Sequence, residues 1–313
     1  MKPLRLQSTR VYRFYRGGAQ LGRFRGGRAE DGSFPEDWVC SVTPASNPGR
    51  DEPEAGLTRL EDGRLLRDAV AQDPEAWLGR AHLERLGATT GLLVKLLDPA
   101  GRILVHAHPD RVFAARHLGS PFGKTEAWIV LATREDEGEA FVGLREAVQP
   151  EEYREWIERQ DVECFLGSLN RVELRAGDLV YVPAGVPHAI GGGMLIAEVQ
   201  EPTDFSLVCE WKDFPVRPED AHLGLGWDTA LQALDLRAHE PVRELPEEAA
   251  AFFWADERIE PAGRFASLIV LEGEGEIADA PARRGDVFAV PVAVRELEAT
   301  GSLRVLRCLA PAA

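Results

Sequence analysis

Three histidines and one glutamate stand out because their setting could bring them to a single ion. His106 and His108 are two residues apart, the period at which a strand sends side chains to one face. Pro109 follows at once; lacking an N–H for a ladder, it ends the strand and leaves both imidazoles near that end. Glu126 lies in GKTEAW at 123–128, and His188 follows the turn PAGVP at 183–187, whose prolines and glycine fix the approach of a third imidazole. Three imidazoles and a carboxylate form a borderline donor set with charge compensation. It suits one divalent metal, zinc first, with iron, manganese or nickel as alternatives set by geometry and supply. The remaining coordination positions would be open to water or substrate.

A His-x-His pair alone is weak evidence in a chain with seven histidines. The argument rests on conjunction: HxHP on one strand, a later strand carrying glutamate, and a Gly/Pro turn leading into histidine. His82, His117, His222 and His239 have no such framework and read as structural or solvated.

Positioning these side chains requires strands. GLLVKLL at 91–97 reads as a buried strand with one lysine, Lys95; Arg102 to His108 and Thr125 to Leu131 read as the next two, and Phe141 begins another. From Asn170, short alternating stretches broken by Gly and Pro turns continue to Val199. Closely spaced strands with such corners suit a barrel or double-sheet jelly roll, whose closure removes exposed edges. Residues 1 to 50 also read as short strands and turns. Leu57 to Leu86 has helical spacing, with Pro74 opening a second helix, and PEEYREWIERQ at 150–160 predicts a helix begun by Pro150, with Tyr153 and Trp156 on its inner face. Residues 220–235 predict one or two helices. Strands recur from residue 250, where GDVFAVP at 285–291 echoes GDLVYVP at 177–183. The echo has no histidine matching His188, so a second, smaller β lobe is expected to serve packing.

With 36 basic and 52 acidic residues and a formal charge of −16, the chain would repel a nucleic-acid backbone. The basic cluster from Arg10 to Arg28 reads as a solvated strand-and-turn region. No apolar run approaches the roughly 20 residues needed to span a bilayer, and no signal core follows the N-terminal charges, so the cytoplasm is the default compartment. Cys40, Cys164, Cys209 and Cys308 are scattered and read as small buried hydrophobes.

The chain resembles the cupin superfamily and, within it, the short bacterial type I mannose-6-phosphate isomerases. The resemblance is carried by FPEDWVCSVTP at 34–44, LLVKLLDPAGRILVHAHPD at 92–110, FGKTEAW at 122–128, GDLVYVPAGVPHAIGGG at 177–193 and LIAEVQEPTDFSLVCEW at 195–211. It implies a metal-dependent aldose–ketose isomerase with the ion on His106, His108, Glu126 and His188. It also implies Lys124 and Glu198 as catalytic residues, and Lys95 and Lys124 as substrate-binding ones. Three departures accompany it. His106 stands where the family usually has glutamine, Leu104 where it commonly has serine, and the strand after His188 offers no arginine, Leu207 taking that place. A missing guanidinium removes a permanent charge able to clamp phosphate; Arg13 and Arg217 are candidate replacements.

The expected architecture is therefore all-β dominated: a cupin jelly-roll barrel with a helical insertion and a smaller C-terminal β lobe, bicupin-like. Its expected division is residues 1–50 with 91–218 as the metal-binding cupin, 51–90 as the insertion, and 219–313 as connector helices plus the C-terminal lobe. The expected partner is a small sugar or sugar phosphate, not nucleic acid or membrane. Isomerisation of mannose 6-phosphate and fructose 6-phosphate through a cis-enediolate is the leading expectation. A metalloenzyme acting on an unphosphorylated sugar or polyol, and a non-enzymatic sugar-sensing cupin, are the alternatives. Oligomeric state is not legible.

Overall fold

The computed structural model describes residues 1–312. Two antiparallel sheets form the body that carries the candidate ligands. One runs in the order Leu207–Val208, His106–Ala107, His188–Ile190, Gly138–Leu144, Leu169–Leu174; the other runs Arg10–Val11, Glu36–Val39, Leu93–Leu97, Met194–Gln200, Glu126–Thr133, Leu179–Val182. Their inner faces share one core. Leu97, Trp128, Val130, Val180 and Ile196 from the second sheet pack with Val142, Val172, Leu174, Ile190 and Val208 from the first. This is the jelly-roll arrangement of a cupin.

The outer face of the second sheet is covered as well. Val94, Leu96, Ala127, Ala197 and Val199 pack against the helical insertion through Leu66, Val70 and Trp77, and against a third sheet through Ile269, Val287, Ala289 and Leu306. Leu93–Leu97 is consequently buried throughout, which is why it reads as a continuous apolar run rather than an alternating one.

The third sheet is ordered Leu4–Leu6, Val287–Val290, Ala266–Ile277, Ala299–Leu309, Trp254–Asp256, with Ala280–Arg283 on the long Ala266–Ile277 strand. Its first strand differs from the expected grouping of residues 1–50 with the cupin sheets: Leu4–Leu6 pairs with Val287–Val290, Leu4 opposite Ala289. Sequence proximity cannot reveal that partner, which lies at the other end of the chain.

The echoed segments adopt the same turn. Asp178 accepts from the Arg175 amide at 2.8 Å, and Asp286 from the Arg283 amide at 3.0 Å. Gly177 donates to Val130 O and Gly285 to Val270 O, both at 2.8 Å. Both glycines have positive φ, 96° and 88°, a region L-residues enter at a cost.

Several local expectations shift. The insertion holds three short helices, Leu66–Gln72, Pro74–Leu78 and Arg80–Leu86; Asp73 caps the second by accepting from the Ala76 amide. The helix at Pro150–Arg159 buries Tyr153 and Ile157, with Trp156 only half-buried. In 220–235 the helical turns are Trp227–Ala230 and Leu231–Ala233. Within 1–50 a helix forms at Ala19–Phe24, where strands were expected. Its capping carboxylate is Asp98, which accepts from the amides of Gln20 and Leu21 at 2.6 and 3.0 Å. The basic region around it is partly buried rather than solvated: Arg13 pairs with Asp204 and Glu36, and Arg25 with Asp37. Val162–Ser168 is a further helix, capped by Asp161, which accepts from the Cys164 amide.

Candidate metal centre

The strand predicted over 102–108 is regular only at His106–Ala107. Upstream, a side chain takes the place of a ladder: the buried Glu210 carboxylate accepts from the Val105 amide at 2.9 Å and is clamped by Arg102 at 2.6 and 2.7 Å. His106 and His188 are direct cross-strand partners, so both rings emerge from one face at the same height. Glu126 comes from the opposite sheet, at the start of Glu126–Thr133.

The four side chains converge. His106 Nε2 and His188 Nε2 are 3.1 Å apart, His108 Nε2 is 3.2 Å from Glu126 Oε2, and His188 Nε2 is 3.4 Å from Glu126 Oε1. Donors about 2.0–2.1 Å from a tetrahedral ion would be separated by about 3.3–3.4 Å. The ring nitrogens are also prepared to ligate. Each Nδ1 lies against a backbone carbonyl, His106 on Leu104 at 2.9 Å, His108 on Phe205 at 2.7 Å and His188 on Val186 at 2.8 Å. A carbonyl can only accept, so each Nδ1 carries the proton and each neutral ring presents an Nε2 lone pair inward. Burial holds all three neutral. His106 is lowered well below its ordinary value by burial and then by the other two histidines; His108 is lowered to about 3 by burial and then Lys124; His188 is lowered by burial.

Facing lone pairs in a closed space repel unless a cation joins them. Glu126 adds a second sign of the same need: its Oε2 is buried without a hydrogen-bond partner, although Lys124 Nζ is only 2.7 Å away in an ion pair. Its other oxygen accepts from Trp128 Nε1 at 2.9 Å. The three histidines therefore fit one divalent ion, with the Glu126 carboxylate beside them.

Beyond it lies a charged row. Trp38, Lys95, Glu198 and Trp128 sit side by side across four strands. Lys95 Nζ is 3.2 Å from Glu198 and 3.4 Å from Asp204; Lys124 Nζ is 3.8 Å from Glu198 and 2.7 Å from His108 Nε2. Both lysines are buried. Burial and then Glu126 raise the Glu198 carboxyl, whereas Lys95 is raised because its acidic neighbours outweigh burial.

Of the two candidate replacement arginines, Arg217 is exposed and paired with Asp220. Arg13 joins the row: it bonds both oxygens of Asp204 and lies 2.9 Å from Glu36. Asp204, Glu36 and Glu210 had no distinguishing sequence pattern. Leu104 is buried in the inner core. Leu207 points away from the centre: it sits opposite Ala107 and packs with Phe113 and Ala233 under the connector, while Val208, opposite His106, shares the inner face.

No protein-family model matches the chain. Curated relatives do. The chain is 40% identical over 113 residues to "Mannose-6-phosphate isomerase" of Streptococcus mutans, covering 36% of this chain and 34% of the relative. It is 37% identical over 153 residues to "Probable mannose-6-phosphate isomerase GmuF" of Bacillus subtilis, covering 48% and 45%, and 27% identical over 254 residues to that organism's ManA, covering 72% and 78%. The first two alignments thus span less than half of those relatives' length. Among solved structures, the Bacillus subtilis mannose 6-phosphate isomerase superposes with a TM-score of 0.76 at 22% identity, covering 98% of this chain and 99% of the other. A putative mannosephosphate isomerase from Archaeoglobus fulgidus gives 0.77 at 21%, covering 100% and 99%. In fold, and over part of its sequence, the chain is similar to the mannose-6-phosphate isomerases.

Proposed function

We propose that the chain is a metal-dependent aldose–ketose isomerase that interconverts mannose 6-phosphate and fructose 6-phosphate. The observation that carries the reading is the convergence of three inward Nε2 lone pairs and the Glu126 carboxylate beside a buried Lys124–Glu198 pair. His106, His108, Glu126 and His188 would hold one divalent ion, zinc first. Bound there, the ion supplies Lewis-acid polarisation of the open-chain carbonyl and adjacent hydroxyl.

The chain's own residues supply the proton chemistry. Glu198, with its carboxyl raised by burial, is a base whose proton affinity is moved toward neutrality, as proton transfer between C2 and C1 requires. It would take the C2 proton and return it at C1 through a cis-enediolate. Lys124 lies beside the same space and would stabilise negative charge developing on the sugar oxygens. Lys95, opposite Glu198 on the neighbouring strand, would orient that carboxylate and favour an anionic substrate.

One observation favours a second reading, action on an unphosphorylated sugar. Arg13 and Lys95 are already engaged by Asp204, and Arg13 by Glu36 as well, which leaves their charge largely compensated before a phosphate arrives. The test is product analysis with purified, zinc-reconstituted protein offered mannose 6-phosphate, fructose 6-phosphate, mannose and fructose in deuterated water. Phosphosugar interconversion with solvent deuterium in the product supports the first reading; turnover confined to free sugars transfers support to the second; binding without turnover would overturn both in favour of a sugar-sensing protein.

A further inference from the structure

A second cleft, of about 580 Å³, opens in the C-terminal lobe, away from the histidines. Its floor is laid by the antiparallel pairing of Trp254–Asp256 with the last strand, which sets Trp254 opposite Leu309 and Asp256 opposite Arg307. The period of two sends all four side chains into the same space; Arg258 and Arg264 line it from the adjoining loop, and Glu247 lines it as well.

The charges in this cleft are unevenly matched. Arg307 is bound by both oxygens of Asp256, at 2.9 and 2.7 Å. Asp256 Oδ1 also accepts from the Arg258 amide at 3.2 Å. That carboxylate is therefore engaged chiefly by Arg307. Arg264 is half-buried, yet among the described residues its side chain has one hydrogen bond, from Nη1 to Ala310 O at 3.0 Å, and no carboxylate in ion-pair range. A guanidinium has five donors in a planar fork, so most of its capacity is not used by protein groups. Burial and then the neighbouring Arg307 lower the Arg264 pKa, and Asp256 opposes them in part. Arg258 likewise lines the cleft without an acidic partner among the described residues.

We propose that this cleft binds a small oxyanion of the phosphate or phosphate-monoester class, with Arg264 and Arg258 as its ligands and Trp254 as a wall. Arg–phosphate pairs are often bidentate, and an anion there would take guanidinium donors that no carboxylate of the cleft contacts directly. The site is separate from the metal centre and does not depend on the isomerase reading.

Inorganic phosphate is the probe, titrated calorimetrically and by thermal melting against chloride of matched ionic strength. The wild type and Lys124→Met should both show saturable binding, and Arg264→Gln should weaken it by about tenfold or more. Arg258→Gln, at an exposed position, should weaken it in the same direction and carries the test if Arg264→Gln does not fold. Wild-type phosphate affinity in both arginine variants, or its loss in Lys124→Met alone, would place the anion at the metal centre and overturn the proposal; so would the absence of saturable binding in the wild type.

Discussion

The Nε2 atoms of His106 and His188 face each other at 3.1 Å, and neither carries a proton, because each ring has committed its Nδ1 hydrogen to a backbone carbonyl. Two buried lone pairs at that separation are an unfavourable arrangement for an apoprotein and a favourable one around a cation. His188→Ala should therefore reduce bound zinc, measured by elemental analysis after gel filtration, at least tenfold. His106→Gln should keep the ion through the amide oxygen with weaker affinity. Chelation should lower the melting temperature of the wild type, since an ion present at about 100 times its Kd stabilises by about 2.7 kcal/mol; an unchanged melting curve would contradict the arrangement.

Glu198 and Lys124 lie outside the proposed ligand set, so their variants should separate chemistry from metal binding. Glu198→Gln should retain one ion per chain while kcat falls by about 10²–10⁴. Lys124→Met should also retain metal and lower kcat. Loss of zinc from Glu198→Gln would assign the carboxylate a structural role instead.

Asp204 links Arg13 to Lys95, and its carboxyl is lowered to about 2 from 3.8: burial alone would raise it, but Arg13 and Lys95 outweigh burial. A carboxyl depressed in the folded state adds stability that is full above its unfolded value and is lost as pH falls through the folded one. Its contribution, about 2 kcal/mol, should disappear between about pH 4 and pH 2. Denaturant melts across that window should show the wild type losing stability faster than Asp204→Asn, which should be less stable at neutral pH. Parallel acid limbs would refute the assignment.

The paired turns predict unequal costs for the same substitution. At Gly177 an added Cβ meets nothing within 4 Å, so Gly177→Ala should cost only its positive-φ strain, about 1 kcal/mol. At Gly285 the Cβ would stand 1.9 Å from Phe24 O, which requires the Ala19–Phe24 helix to move. Gly285→Ala should cost about 3 kcal/mol or more. Equal melting temperatures for the two variants would show that the helix is not held against this turn.

Elements whose determinants are local were legible. Lys95 in its apolar run, Pro150 at a helix start and the GDLVYVP echo each carry their signal within a few residues. The Ala19–Phe24 helix was not, because Asp98, which caps it, lies on a distant part of the chain. The helix at Val162–Ser168 had a local sign, Asp161 at its cap position, but lay between stronger patterns.

Sequence alone determined that His106 and His108 share a face and that Glu126 and His188 have strand and turn settings suited to one centre, because period and proline act locally on the backbone. Only the tertiary structure decided which nitrogen each ring presents, since the accepting carbonyl of His108 belongs to Phe205. It also decided that Arg13 enters the charged row while Arg217 stays outside, and that Val208 rather than Leu207 faces the centre. Those outcomes depend on strand register and on buried partners far apart in the chain, where a shift of one residue reverses a side chain's face.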